Sequence, residues 1–231
     1  MDQDFGHPRL RGGSSSQTAA RLLILLDVPG MPVGDPPPVP GAVRAISSLT
    51  RLEKLDFWMR NPDYLADELL TDHLEGQLPR QAIEVHVSRM LSVAATGHHY
   101  PMIRFKYGAY EQVDDALAKL KSTGLIEHRR SADAGDRARR DYFLLEEGEH
   151  VVAQMRTALP QLQWYDDQAE AIALLAEAAM GSTARQRQYE QPEYRGARIG
   201  TEIPAIFERV AERARELIFN IESVSGEGEE Q

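Results

Sequence analysis

The sequence predicts a mainly α protein with one β-hairpin near its middle and a helical C-terminal extension. Three observations predict it. Val113, Ala116, Leu117 and Leu120 recur at three-and-four spacing, which makes one buried stripe on a helix from about Tyr110 to Thr123. Gly124 stops that helix, because glycine adopts the left-handed conformation beyond a helix end most cheaply. Leu125 to Arg130 and Tyr142 to Leu145 then read as two strands joined by a polar loop containing Gly135, and the helical period restarts at Glu146.

Helix, "GLI", basic hairpin, "LLEEG", helix is an order that resembles the second half of a winged helix-turn-helix domain of the PadR or MarR kind. The likeness covers about a quarter of the chain, from Met102 to Arg156. It implies a winged helix-turn-helix core, with the hairpin as the wing and the helix before it as the recognition helix, and it implies binding to double-stranded DNA as a transcriptional regulator or DNA-contacting subunit. The runs KLDFWMRNPDYL, MIRFKYGAY and GLIEH also resemble the middle component of bacterial three-component ABC-ATPase systems. That second likeness implies a protein-protein adaptor, in which the winged helix is a docking scaffold for a protein partner.

Composition bounds the alternatives. The chain has 231 residues, 42% of them hydrophobic, enough to bury a core of one or two domains. Its longest apolar run, Leu22 to Leu26, is too short to span a bilayer, so no membrane association is expected. The start, MDQDFGHPRL, has no basic segment leading into a long apolar one, and a cytoplasmic location is the expectation. With no cysteine there is no disulfide framework, thiolate nucleophile or cysteine-held metal. The net charge of -10 argues against broad attraction to phosphate, but it is unevenly distributed. Tyr100 to Leu145 holds nine Lys and Arg against seven acids, so this stretch is +2 and the remainder -12.

Taken in order, residues 1–17 carry Gly-Gly-Ser-Ser-Ser without periodicity and are expected to be disordered. The domain read as winged-helix spans 18–145. Thr18 to Val28 is apolar throughout; its alanines and leucines favour helix over strand. Pro29 to Gly41, with six prolines and three glycines, is expected to be an extended linker without regular hydrogen bonds. Ala42 to Arg60 reads as one long core helix. Asn61-Pro62 ends it, with the Asn61 side chain expected to cap a short helix over Asp63 to Thr71. Arg80 to Ala94 reads as a third helix, although Ile83, Val85 and Val87 also alternate as in a strand. Ala95 to Gly108 departs from the helix-turn-helix pattern, where three or four residues would suffice, and its Met102 to Tyr107 portion alternates like a strand.

Residues 146–223 form the expected helical extension: a helix interrupted at Pro160 resumes over Leu162 to Met180 and is closed by Gly181, and Ser182 to Gly200 reads as a polar linker or arm before the last helix. Ile203, Ile206, Phe207, Val210, Ala214, Leu217, Ile218 and Ile221 mark one face of its last helix. That face either pairs with its twin in a homodimer through 203–221 or packs on the chain's own core. Residues 224–231 read as a disordered acidic tail.

The residues expected to contact DNA are Arg129, Arg130, Arg137, Arg139 and Arg140 on the hairpin, with Lys119 and Lys121 on the preceding helix. Against this, Glu111, Asp114 and Asp115 crowd the helix start. There they would repel a groove lined by phosphate, or they simply complement the positive end of the helix dipole. No catalytic role is expected. The chain lacks G-x-S-x-G, a phosphate-binding glycine loop and His-Glu-x-x-His, and His98-His99 has no neighbouring ligand to complete a metal site. The expectation is therefore a protein that is not an enzyme and needs no cofactor.

Overall fold

The computed structural model describes residues 15–95, 103–105, 108–110, 113–130, 139–178, 198 and 201–219. They are mainly helical, with a four-stranded antiparallel sheet and a separate two-stranded one. No helix among them is long and apolar enough to cross a membrane.

Helix α1, Ser15–Asp27, lies at the centre, and Leu22 to Leu26 are all essentially inaccessible. Burial all round explains its unbroken apolar run, where a surface helix would show a stripe. Ser15 to Gln17, expected to be disordered, form its first turn. The proline-rich segment that follows is not a free spacer. Met31–Pro32 forms strand β1 against Ala45 and Arg44, and the Val33 N–H donates to the Val43 carbonyl at 3.2 Å. Val33 and Val39 then pack with Ala42, Ala45, Phe143 and Leu145, so the segment covers the outer face of the main sheet. Proline is compatible with this because β1 is an edge strand.

The long helix expected over Ala42 to Arg60 is corrected in its first third. Ala42–Ser47 is strand β2, and helix α2 spans Leu49–Arg60. Ser48 between them has φ 70, which no helix accommodates, and its hydroxyl accepts the Arg51 N–H at 3.2 Å. Coiling 42–47 into a helix would strip the sheet of an inner strand and orphan the backbone groups of the strand beside it.

The Asn61 side chain does not cap the next helix. Its Nδ2 donates back to the Phe57 carbonyl at 2.8 Å and closes α2, while Pro62 starts helix α3. That helix, Pro62–Leu74, is longer than expected, and ten of its residues are buried, including Asp63, Asp67, Glu68 and Asp72. Helix α4, Arg80–Ala95, buries Ile83, Val87 and Met90 and leaves Val85 exposed, a helical periodicity rather than an alternating one. The strand expected within Met102 to Tyr107 is present as β3, Ile103–Phe105, paired with β4, Gly108–Tyr110. Because Gly108 to Tyr110 are committed to that pairing, helix α5 covers only Asp114–Ser122, four residues later than expected at its start.

Val113, Ala116, Leu117 and Leu120 are buried, and Gly124 has φ 72, as the stop signal required. Strands β5, Ile126–Arg130, and β6, Arg140–Leu145, pair antiparallel directly after it. The main sheet has the order β1-β2-β6-β5. Helix α6, Glu146–Ala158, leads through a 3-10 turn at Pro160–Leu162 into α7, Gln163–Ala178, so Pro160 interrupts the helix as its lost N–H demands.

The last described elements are helix α8, Phe207–Ala214, and a π-helical turn, Arg215–Phe219. Ile203, Ile206, Val210, Ala214 and Ile218 are buried within the same core that contains α1 and α3. Of the two outcomes the stripe allowed, packing on its own chain is the one adopted, and these five residues are not available to a homodimer.

Candidate nucleic-acid interface

The register of the β5–β6 hairpin fixes which side chains share a face. Ile126 lies opposite Leu144, His128 opposite Tyr142, and Arg130 opposite Arg140. Alternate rungs share a face, so these three line the inner side of the hairpin. Ile126, Leu144 and Tyr142 are buried there, and the row emerges into solvent at Arg130 and Arg140. The other face carries Glu127 opposite Phe143 and Arg129 opposite Asp141. The inner face is thus a ladder that passes from aliphatic through aromatic to cationic.

The seven basic residues expected at the interface fare differently. Arg130 and Arg140 are exposed, and among the described residues neither side chain has an ion-pair or hydrogen-bond partner. Arg129, also exposed, donates to the Pro38 carbonyl at 2.6 Å, which ties the hairpin to the proline-rich cover. Arg139 pairs with Asp141 at 3.3 Å. Lys121 pairs with Glu127 at 2.5 Å, and Lys119 donates to the Ser16 hydroxyl at 3.0 Å. Arg137 lies outside the described residues, as do the hairpin tip, Glu111 and the His98-His99 pair.

The hairpin's electrostatics follow from these neighbours. The hydrogen bond from Lys121 holds the Glu127 carboxyl below its ordinary range. Partial burial, with Lys121 and Arg140 nearby, pushes the His128 imidazole down, which favours its neutral form. Its ring lies 6.0 Å from that of Tyr142. Burial pushes the Tyr142 phenol up, with Asp114 and Glu53 acting in the same sense and Arg140 against them.

Sequence reasoning did not single out Glu53. This half-buried residue of α2 has its carboxyl raised to about 7 by desolvation first, then by the charges of Asp114 and Asp56. Asp114 and Asp115 themselves are exposed at the start of α5. The face of α5 turned to solvent therefore begins with two carboxylates, above a third that resists ionisation.

A second set of residues missed in the sequence is ionic, and all of it but Arg156 is buried. Arg21 of α1 bonds to Asp56 of α2 through two nitrogens, with Arg60 at 4.0 Å from the same carboxylate. Arg156 of α6 bridges Asp27 at 2.8 Å and Asp166 at 2.7 Å, joining the end of α1 to the start of α7. The positive Arg156 also offsets an unfavourable acid at the negative end of α1. These pairs hold helices together. Among the described residues no group of three or more acids and histidines is arranged to hold a metal ion. Compared with known proteins, the chain matches no family model, no curated protein sequence and no solved structure.

Proposed function

We propose that this protein is a non-catalytic, winged-helix DNA-contacting protein, acting as a transcriptional regulator or as the DNA-contacting subunit of a larger system. The order α1, β2, α2, α5, β5, β6 supports the winged-helix reading, with α3, α4 and the β3–β4 hairpin inserted before α5. So does the placement of β2 beside β6, which makes a three-stranded unit of the hairpin and the strand after the first helix.

One observation carries the functional reading: Arg130 and Arg140 face each other on one rung, exposed and without an acid among the described residues. Directly opposed like charges destabilise a hairpin, and an anion between them reverses the sign. A phosphodiester suits the position because two adjacent exposed cations attract its charge and release its counterions.

The test is binding of the full chain to random-sequence duplex DNA across a salt series. Wild type should bind at low salt. Arg130→Ala with Arg140→Ala should flatten the plot of log affinity against log salt by up to about two units of slope, about 0.9 for each lost phosphate contact. No binding at low salt, or an unchanged slope in the double variant, would refute the reading.

The exposed Asp114 and Asp115 favour a second reading, in which α5 is the docking face of a protein-protein adaptor. Under it a basic protein partner is lost on Asp114→Lys with Asp115→Lys, while the arginine variants still bind that partner.

A further inference from the structure

We infer that the hairpin, and not α5, is the element that meets nucleic acid, and that the ligand it takes is the phosphodiester backbone of a duplex, without selection of base sequence. This rests on the DNA-contacting reading above and makes it narrower.

The argument is one of geometry and charge on two neighbouring elements. A helix that reads bases enters the major groove with its N-terminal residues foremost. On α5 that end presents Asp114 and Asp115 to solvent, and Glu53 of α2 is close enough to Asp114 to feel its charge. Seating it in a groove would bring these carboxylates among phosphates and remove their water. The cations that might compensate are at the other end of the helix and already engaged, Lys121 with Glu127 and Lys119 with Ser16. Carboxylates can accept from cytosine, but two adjacent ones give no general code and no phosphate anchor.

The hairpin has the opposite character. Its inner rungs end in Arg130 and Arg140, with Tyr142 and His128 two rungs below, the next pair on the same face. On Tyr142, on the same face of the hairpin as Arg140, the charges of Arg140 and Asp114 act in opposite senses. A duplex that approaches this side is therefore drawn to the rung and turned away from the helix. What remains in contact is guanidinium to phosphate, which positions a protein on a duplex but carries no sequence information.

The experiment has two parts, both on the full chain. In the first, a random-sequence duplex pool is taken through repeated rounds of selection at low salt, with a duplex RNA pool run beside it. In the second, affinity is measured for wild type, Asp114→Asn with Asp115→Asn, Arg130→Ala with Arg140→Ala, and Arg130→Lys with Arg140→Lys.

The expected result is binding with no sequence enriched. The Asp variant should stay within about threefold of wild type, the Ala variant should lose about tenfold or more on every duplex, and the Lys variant should recover most of it because point charges suffice for backbone attraction. Binding to the DNA duplex supports the inference, whereas binding to the RNA duplex alone overturns the DNA-contacting reading and the inference with it.

An enriched motif overturns it, as does an Asp variant that changes preference among duplexes or a Lys variant as weak as the Ala one. Those outcomes leave the DNA-contacting reading standing. Absence of any binding at low salt removes that reading and the inference with it.

Discussion

Asp67 of α3 accepts a hydrogen bond from the Arg213 guanidinium at 2.8 Å, across 146 positions of sequence. Arg209 approaches the same carboxylate at 3.3 Å, and Asp67 is only 2% exposed while the two arginines reach solvent. Nearby, the Ile206 N–H donates to Asp63 at 2.7 Å and the Tyr64 hydroxyl donates to the Pro204 carbonyl at 2.9 Å. Replacing Asp67 by Asn keeps the shape and removes the charge. Two cations then face a neutral amide, and the expected loss is about 2–3 kcal/mol in denaturant unfolding. Arg209→Ala, which loses the more exposed partner, should cost less than about 1 kcal/mol.

Glu53 gives stability a pH dependence of defined sign. Its carboxyl is raised in the fold from the ordinary 4.5 to about 7, so between those values the folded chain binds the proton more tightly than the unfolded one. Its contribution therefore falls as pH rises from 4.5 to 7, and the penalty is complete above 7. Glu53→Gln should stabilise the protein at pH 8, by something on the order of 1 kcal/mol after screening of a half-buried site. At pH 4 the two should be equal. Thermal melts of both chains across pH check the difference.

Gly148 lies in the first turn of α6, where glycine ordinarily costs helix stability and alanine would gain about 1 kcal/mol. Here the sign should reverse. A Cβ at this position would stand 2.3 Å from the Leu125 carbonyl oxygen and 2.7 Å from Leu144 Cδ1. Gly148→Ala is expected to destabilise by about 1–3 kcal/mol as the hairpin and α6 move apart. Equal or improved stability would mean that the close approach of α6 to the Gly124–Leu125 turn is not tight.

Truncation after Gly200 should expose the face of α3 that Ile203, Ile206, Val210, Ala214 and Ile218 cover. Aggregation or a lowered melting temperature is expected. A soluble, monomeric and equally stable shortened chain would contradict the packing described.

Periodicity and stop signals carried the elements whose neighbours in space are also neighbours in sequence. The hairpin of Ile126 to Arg130 with Arg140 to Leu144, the Gly124 turn and the break at Pro160 were all legible for that reason. Strand β2 was not, because AVRAIS is a strand only through its partner β6, a hundred residues on, and its bulge near Val43 breaks the two-residue alternation. The role of α3 was hidden for a different reason. Asp63 and Asp67 look like solvent-facing acids until the basic residues and amides of the last helix arrive to neutralise them. At the candidate interface, sequence supplied the arginines, the pairing register decided that Arg130 and Arg140 share a rung, and side-chain placement engaged Arg139 with Asp141.

The distance along the chain between Tyr64 and Pro204 has a consequence for how this protein comes into being. A ribosome releases α3 about 140 residues before the segment that seals it, and at about 5–20 residues per second that interval is on the order of ten seconds. Throughout it a nascent α3 must hold Asp63, Asp67 and its apolar flank without their final cover. Folding thus finishes late, with a long-range closure instead of a succession of local ones.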